Sequence, residues 1–171
     1  MNYLVGYSEE IKRKVAMLIS QDSLGPLLRQ KYLGLHQIRS DKALYDYLFD
    51  LKSNCIKNAL VPSKIRFDSD IRVIKRALGS HTAISRVQGG NLKAKNEIRI
   101  ASMFKTLPIE FLKMIAVHEL AHLKEKDHDK AFYSLCVSME PDYHQIEFDL
   151  RMYLTHMDLA SKPVWESPGV G

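Results

Sequence analysis

An α+β fold is what this sequence predicts, with helices at the N-terminus, a small antiparallel sheet in the middle, and helices again to the end. Two observations carry the prediction. Apolar residues recur at helical spacing before residue 60 and after residue 108, whereas between them apolar and charged residues alternate in short runs. The 171 residues are 46% hydrophobic and 26% charged, a balance that suits a single globular domain with a sizeable core. Residues 1–160 read as that domain and residues 161–171 as a flexible tail. No apolar run approaches the ~20 residues of a membrane-spanning helix, and the opening MNYLVGYSEE lacks the basic and apolar regions of a secretion signal, so the expected location is the cytoplasm. Cys55 and Cys136, far apart in helix-like sequence, read as reduced thiols of the core.

The first helix starts after Ser8, which can cap it, with Glu9 and Glu10 at its positive end and Ile11, Val15, Leu18 and Ile19 as an apolar stripe. Gly25-Pro26 punctuates it. A short helix is expected over residues 27–32 and a longer one over 40–58, with Leu44, Tyr47, Leu48, Leu51 and Cys55 on its inner side. His36 lies in the junction between them with no partner residue nearby in sequence, and is read as structural. The period then changes to two. Ile65 and Phe67 alternate with Lys64, Arg66 and Asp68, and Ile71 and Val73 flank Arg72, which predicts two strands joined by a turn at Asp68-Ser69-Asp70. A third strand is expected over 82–87, a turn at Gly89-Gly90, and a fourth strand over 97–103. Pro108 and Glu110 mark the start of a buried helix, residues 130–139 form another, and residues 143–154 the last.

That buried helix carries the chemistry. His118 and His122, four residues apart, share one helical face about 6 Å from each other, so two imidazoles can reach one metal ion while Glu119 stands beside the first to act as general base on a metal-bound water. From Phe111 to Leu123 the helix is apolar nearly all round, and its ionisable groups between Met114 and His122 are these three alone. Buried without partners they are costly, so a metal, zinc or another divalent ion, is expected to satisfy them, the alternative being a structural histidine pair held by a hydrogen-bond network. A catalytic zinc takes three protein ligands and leaves a position for water. His128 is the favoured third ligand, six residues after His122, which requires the helix to break within residues 124–127. No glycine occurs between Asn91 and Pro168, so the turn falls to a residue such as Asp127, capping a helix that begins at His128. Glu140, His144 and Glu147 are the alternatives, Glu147 foremost.

Between Val61 and Lys105 ten basic residues stand against three acidic ones, in a chain whose net charge is +5. The plain reading is a solvated outer sheet face. The functional one is an electropositive wall beside the metal, suited to an anionic small molecule such as a nucleotide, with Arg86, Arg99 and His81 as candidate substrate contacts. Nucleic acid is disfavoured, because the segment lacks the interleaved aromatic residues of a stacking platform. A peptide substrate would instead add as a strand to the edge at residues 98–103. A third possibility is a non-enzymatic binding module that keeps a metal only for stability.

The block VHELAHLKEKDHDKAFY, preceded by SRVQGGNLKAKNEIRI and followed by MEPDYHQIEFDLRMYL, resembles the bacterial YgjP-like metal-dependent hydrolases, relatives of the SprT and WLM zincins. The resemblance covers residues 41–154. It implies a zincin-like fold and a metallopeptidase-type centre, with metal histidines at His118, His122 and His128 and a catalytic glutamate at Glu119. For YgjP-like proteins it also implies a nucleoside triphosphate pyrophosphatase acting on UTP. Wider relatives carry a Trp-Gly-Ser-Cys segment ahead of the site, where this chain has Arg86-Val87-Gln88-Gly89-Gly90, a departure that tells against protease-like substrate contacts.

Overall fold

The structure, a computed structural model, describes residues 1–78 and 97–165. Helix α1 (Glu9–Ser20) is capped as the sequence predicts, the Ser8 hydroxyl accepting from the Ile11 amide at 3.3 Å. Helix α2 (Leu24–Lys31) begins earlier than expected, because Pro26 sits in its first turn, where no intrahelical amide is needed. Helix α3 (Asp41–Cys55) is capped by Ser40 and buries Leu44 and Leu48. Strand β1 (Lys64–Asp68) buries Ile65 and Phe67 and turns Lys64 outward, the alternation read from sequence.

The expected second strand at 71–73 is a helix, α4 (Arg72–Ala77). Three alternating residues are too few to separate the two periods, and the deciding signal is Asp70. Its carboxylate accepts from the Arg72 amide at 2.9 Å and its carbonyl from the Val73 amide at 3.0 Å, which starts a helical turn and buries Ile74. Strand β2 (Glu97–Ala101) pairs with β1 in parallel, Arg66 opposite Arg99 and Phe67 opposite Ile100, not antiparallel. Parallel neighbours need a long crossover, and the helix at α4 supplies part of one where a tight hairpin was expected. The expected strand at 82–87 and the turn at Gly89-Gly90 lie outside the described residues.

Helix α5 (Ile109–Ala121) is the centre of the core, with Phe111, Leu112, Met114, Ala116, Val117, Leu120 and Ala121 fully buried. It packs against α3, against β2, and against α6 (Lys130–Met139) and α7 (Tyr143–Ala160). Its start is pinned from both sides: Leu35 bridges Pro108, and the buried His36 ring pairs its Nε2 with the Phe104 carbonyl at 2.8 Å and its Nδ1 with the Ile38 amide at 3.0 Å. Helix α7 outruns the expected 154 by six residues and ends at Ser161, whose φ of 50° does without glycine what glycine usually does there. Beyond it the chain lies back on the core. Arg29 donates to the Val164 carbonyl at 3.1 Å, and the Trp165 indole donates to the Tyr32 carbonyl at 3.1 Å while its ring packs on Phe111 and Tyr153. Cys136 is a core thiol, but Cys55, also expected in the core, is exposed. Among the described helices none is long and apolar enough to cross a membrane.

Candidate metal centre

Helix α5 delivers His118 in its last turn and His122 as its C-terminal cap. There the helix tightens, with Leu123 and Lys124 amides donating to the Leu120 and Ala121 carbonyls three residues back, and the chain leaves the axis. The predicted break is therefore present. It is made differently, because the residues with positive φ among the described non-glycines are Asp22 and Ser161, not Asp127. The cap of the next helix is Asp129, whose carboxylate accepts from the Phe132 amide at 3.0 Å, so His128 precedes α6 rather than starting it.

This turn brings three imidazoles together. One ring nitrogen from each of His118, His122 and His128 lies within 4.8 Å of the others, and the His122 and His128 Nε2 atoms are 2.9 Å apart. The Phe132 ring stands against all three, its centroid 5.0, 4.6 and 4.8 Å from theirs, and is fully buried. The triad thus rests on an apolar floor and grades outward, from buried His118 through half-buried His122 to exposed His128.

The remaining ring nitrogens set the tautomers. His122 Nδ1 is 2.9 Å from the Glu125 carbonyl, which only accepts, so the proton is on Nδ1 and the Nε2 lone pair faces the other two rings. His118 Nδ1 is 2.8 Å from the Tyr143 hydroxyl, and its Nε2 is buried with no hydrogen-bond partner. An unsatisfied buried nitrogen costs on the order of 1–3 kcal/mol, so this atom calls for a ligand. Three nitrogens on one tetrahedral zinc would stand about 3.4 Å apart, between the distances found here, and neutral imidazole is the form that ligates. The triad fits a divalent ion. Burial, and then the neighbouring His122, His128 and Arg151, push the His118 pKa well below 6.5, and burial likewise lowers that of His128.

The other candidates stand outside the cluster of ring nitrogens. Glu147, whose charge reaches His128, is held by Arg151 at 2.7 Å, and Arg151 in turn donates to the Tyr3 and Leu78 carbonyls. Glu140 pairs with Lys113 at 2.6 Å, and His144 is exposed beside the Tyr133 ring. Ile98 and Ile100 turn into the core and Arg99 to the outer face of β2, where it pairs with Glu97 at 3.3 Å and Asp68 at 3.4 Å. His81 and Arg86 lie outside the described residues. Glu119 is half-buried, one residue past His118 on α5.

Sequence reasoning missed the two residues that shape the triad. Phe132 reads only as core, although its position four residues after His128 is a signal that the two meet across the turn. Tyr143 opens the last helix amid the polar run PDYHQIE, and its full burial there marks a polar partner to be sought.

The YgjP-like family, described as a metallopeptidase domain, matches residues 27–153. The chain is 52% identical over 164 residues to the UTP pyrophosphatase of Escherichia coli (strain K12), covering 96% of this chain and 98% of that protein. No solved structure matches.

Proposed function

Because this chain belongs to the YgjP-like family of metallopeptidase-type domains, we propose that it is a metal-dependent hydrolase whose substrate is a nucleoside triphosphate, UTP foremost. The observation that carries the hydrolase reading is the orphaned His118 Nε2, buried where the rings of His122 and His128 converge. His118, His122 and His128 would hold a zinc or other divalent ion, which when bound lowers the pKa of water and polarises a phosphoryl oxygen. Glu119, the one carboxylate between Met114 and His122, takes the proton of the attacking water. Water oxygen bonds to the α-phosphorus as the bond to the bridging oxygen breaks, and pyrophosphate leaves. Phe132 keeps bulk water from the floor of the site, and the Glu125 carbonyl holds His122 in its ligating tautomer.

Support for a nucleotide comes from the Escherichia coli relative named UTP pyrophosphatase. The HExxH helix and the family's metallopeptidase description favour a second reading, hydrolysis of an extended peptide. A paired assay separates them. One metal-loaded preparation is given UTP and other nucleoside triphosphates, with pyrophosphate release followed, and an unstructured protein, with cleavage followed. The proposal expects pyrophosphate release that vanishes in Glu119→Gln. Glu119-dependent proteolysis without nucleotide turnover would overturn the nucleotide assignment.

A further inference from the structure

We infer that Tyr143 is a positioning residue of the metal centre: its phenol oxygen accepts from His118 Nδ1–H, fixing His118 with the Nε2 lone pair turned to the ion. This rests on the proposed function and names the device that makes its deepest ligand competent. Two helices meet in the contact, α5 through His118 and α7 through Tyr143. Both groups are buried, with Tyr143 at 0% exposure and His118 at 4%, so no bulk water can replace a missing partner. The Nδ1 to Oη distance is 2.8 Å.

A phenol has one proton to give. Were it given to His118 Nδ1, the Nε2 atom would carry the ring proton, aimed without an acceptor at the two neighbouring imidazoles and unable to ligate. With the phenol oxygen as acceptor instead, Nδ1–H is satisfied and the lone pair is left inward.

The choice of partner has a chemical consequence. Ligating histidines often lean on a carboxylate, which makes the ring more basic and adds a negative charge behind it. Here the partner of His118 is a neutral phenol and that of His122 a backbone carbonyl. Neither adds a negative charge behind its ring.

Tyr143→Phe keeps the ring and removes the oxygen. Zinc affinity measured by competition with a chromophoric chelator should fall about 10- to 100-fold. In parallel, long-range nitrogen-15 NMR of the metal-free wild type should show His118 protonated on Nδ1, a signature that packing alone does not set. Unchanged zinc affinity in Tyr143→Phe overturns the inference, as does an Nε2-protonated His118. Should the variant not fold, the wild-type tautomer decides alone. Absence of any divalent-ion binding by the wild type would instead sink the reading of the centre itself.

Discussion

Two clusters of ionisable groups, one on the exposed face of the sheet and one at the end of α5, solve the same problem oppositely. On the outer face of the sheet Arg66, Arg99, Asp68 and Glu97 neutralise one another, Arg66 reaching Glu97 at 3.0 Å and Arg99 reaching both acids. At the end of α5 the gathered groups are of one kind, three imidazoles with a buried Nε2 left unsatisfied. The first cluster is complete in itself. The second is completed only by something that accepts three nitrogen lone pairs. The charge of Arg66 and Arg99 thus meets its own counter-charge, while an unmet valence at the end of α5 points to a ligand.

The sharpest way to break the comparison is to remove a ligand. His122→Ala should take the purified protein from about one divalent ion per chain to almost none, with turnover lost, and metal analysis reads it directly. Retained metal would place the site elsewhere. Next in size, Glu119→Gln keeps all three imidazoles, so metal content should persist while hydrolysis falls ~10²-fold or more. Full activity in that variant removes Glu119 as the base.

A smaller effect separates the clusters by pH. The folded pKa of His118 lies well below its ordinary 6.5, and that of His128 is lowered too, so the unfolded chain takes up protons first as pH falls. The stability contribution is fully present above about pH 6.5 and is lost as pH drops toward the folded values. Metal-free protein should show a urea midpoint that declines from about pH 7.5 to 5, less steeply in His118→Asn. A midpoint that rises on acidification would mean the rings are held as cations, and the comparison would collapse.

Much of this was legible in sequence because it is written in local spacing. His118, Glu119 and His122 lie within five residues on one helix, whose apolar surround announced its burial. The cap of α1 and the alternation of β1 were equally local. What was missed depends on residues distant in sequence. Strand direction is set by where the crossover runs, so two five-residue strands separated by α4 and a long segment gave no sign of being parallel. Tyr143 meets His118 from 25 residues away, and no periodicity encodes that meeting. Arg99 illustrates the converse: its alternation with Ile98 and Ile100 already placed it on the face away from the core, and the local surplus of charge obscured what the pleat had settled.

Arg99 supplies the gentlest test and the one that sharpens the contrast most. Its guanidinium is 46% exposed and shares Glu97 with Arg66, so its removal leaves Glu97 still paired. Exposed pairs of this kind contribute about 0.2–1 kcal/mol, and less at high salt. Arg99→Ala should therefore move the thermal midpoint by only a few degrees, in the direction of loss, and by less again in about 0.5 M salt. KM for UTP should stay within about twofold of wild type, because Arg99 is engaged by Glu97 and Asp68 on the exposed sheet face. Glu97→Ala is the more revealing partner, since it leaves Arg66 and Arg99 sharing Asp68 alone, at 3.8 and 3.4 Å. It should cost more stability than Arg99→Ala and again spare KM. A tenfold rise in KM from either substitution, with metal content unchanged, would put the outer sheet face on the path of the substrate and undo the distinction between a cluster that is complete and one that waits for an ion.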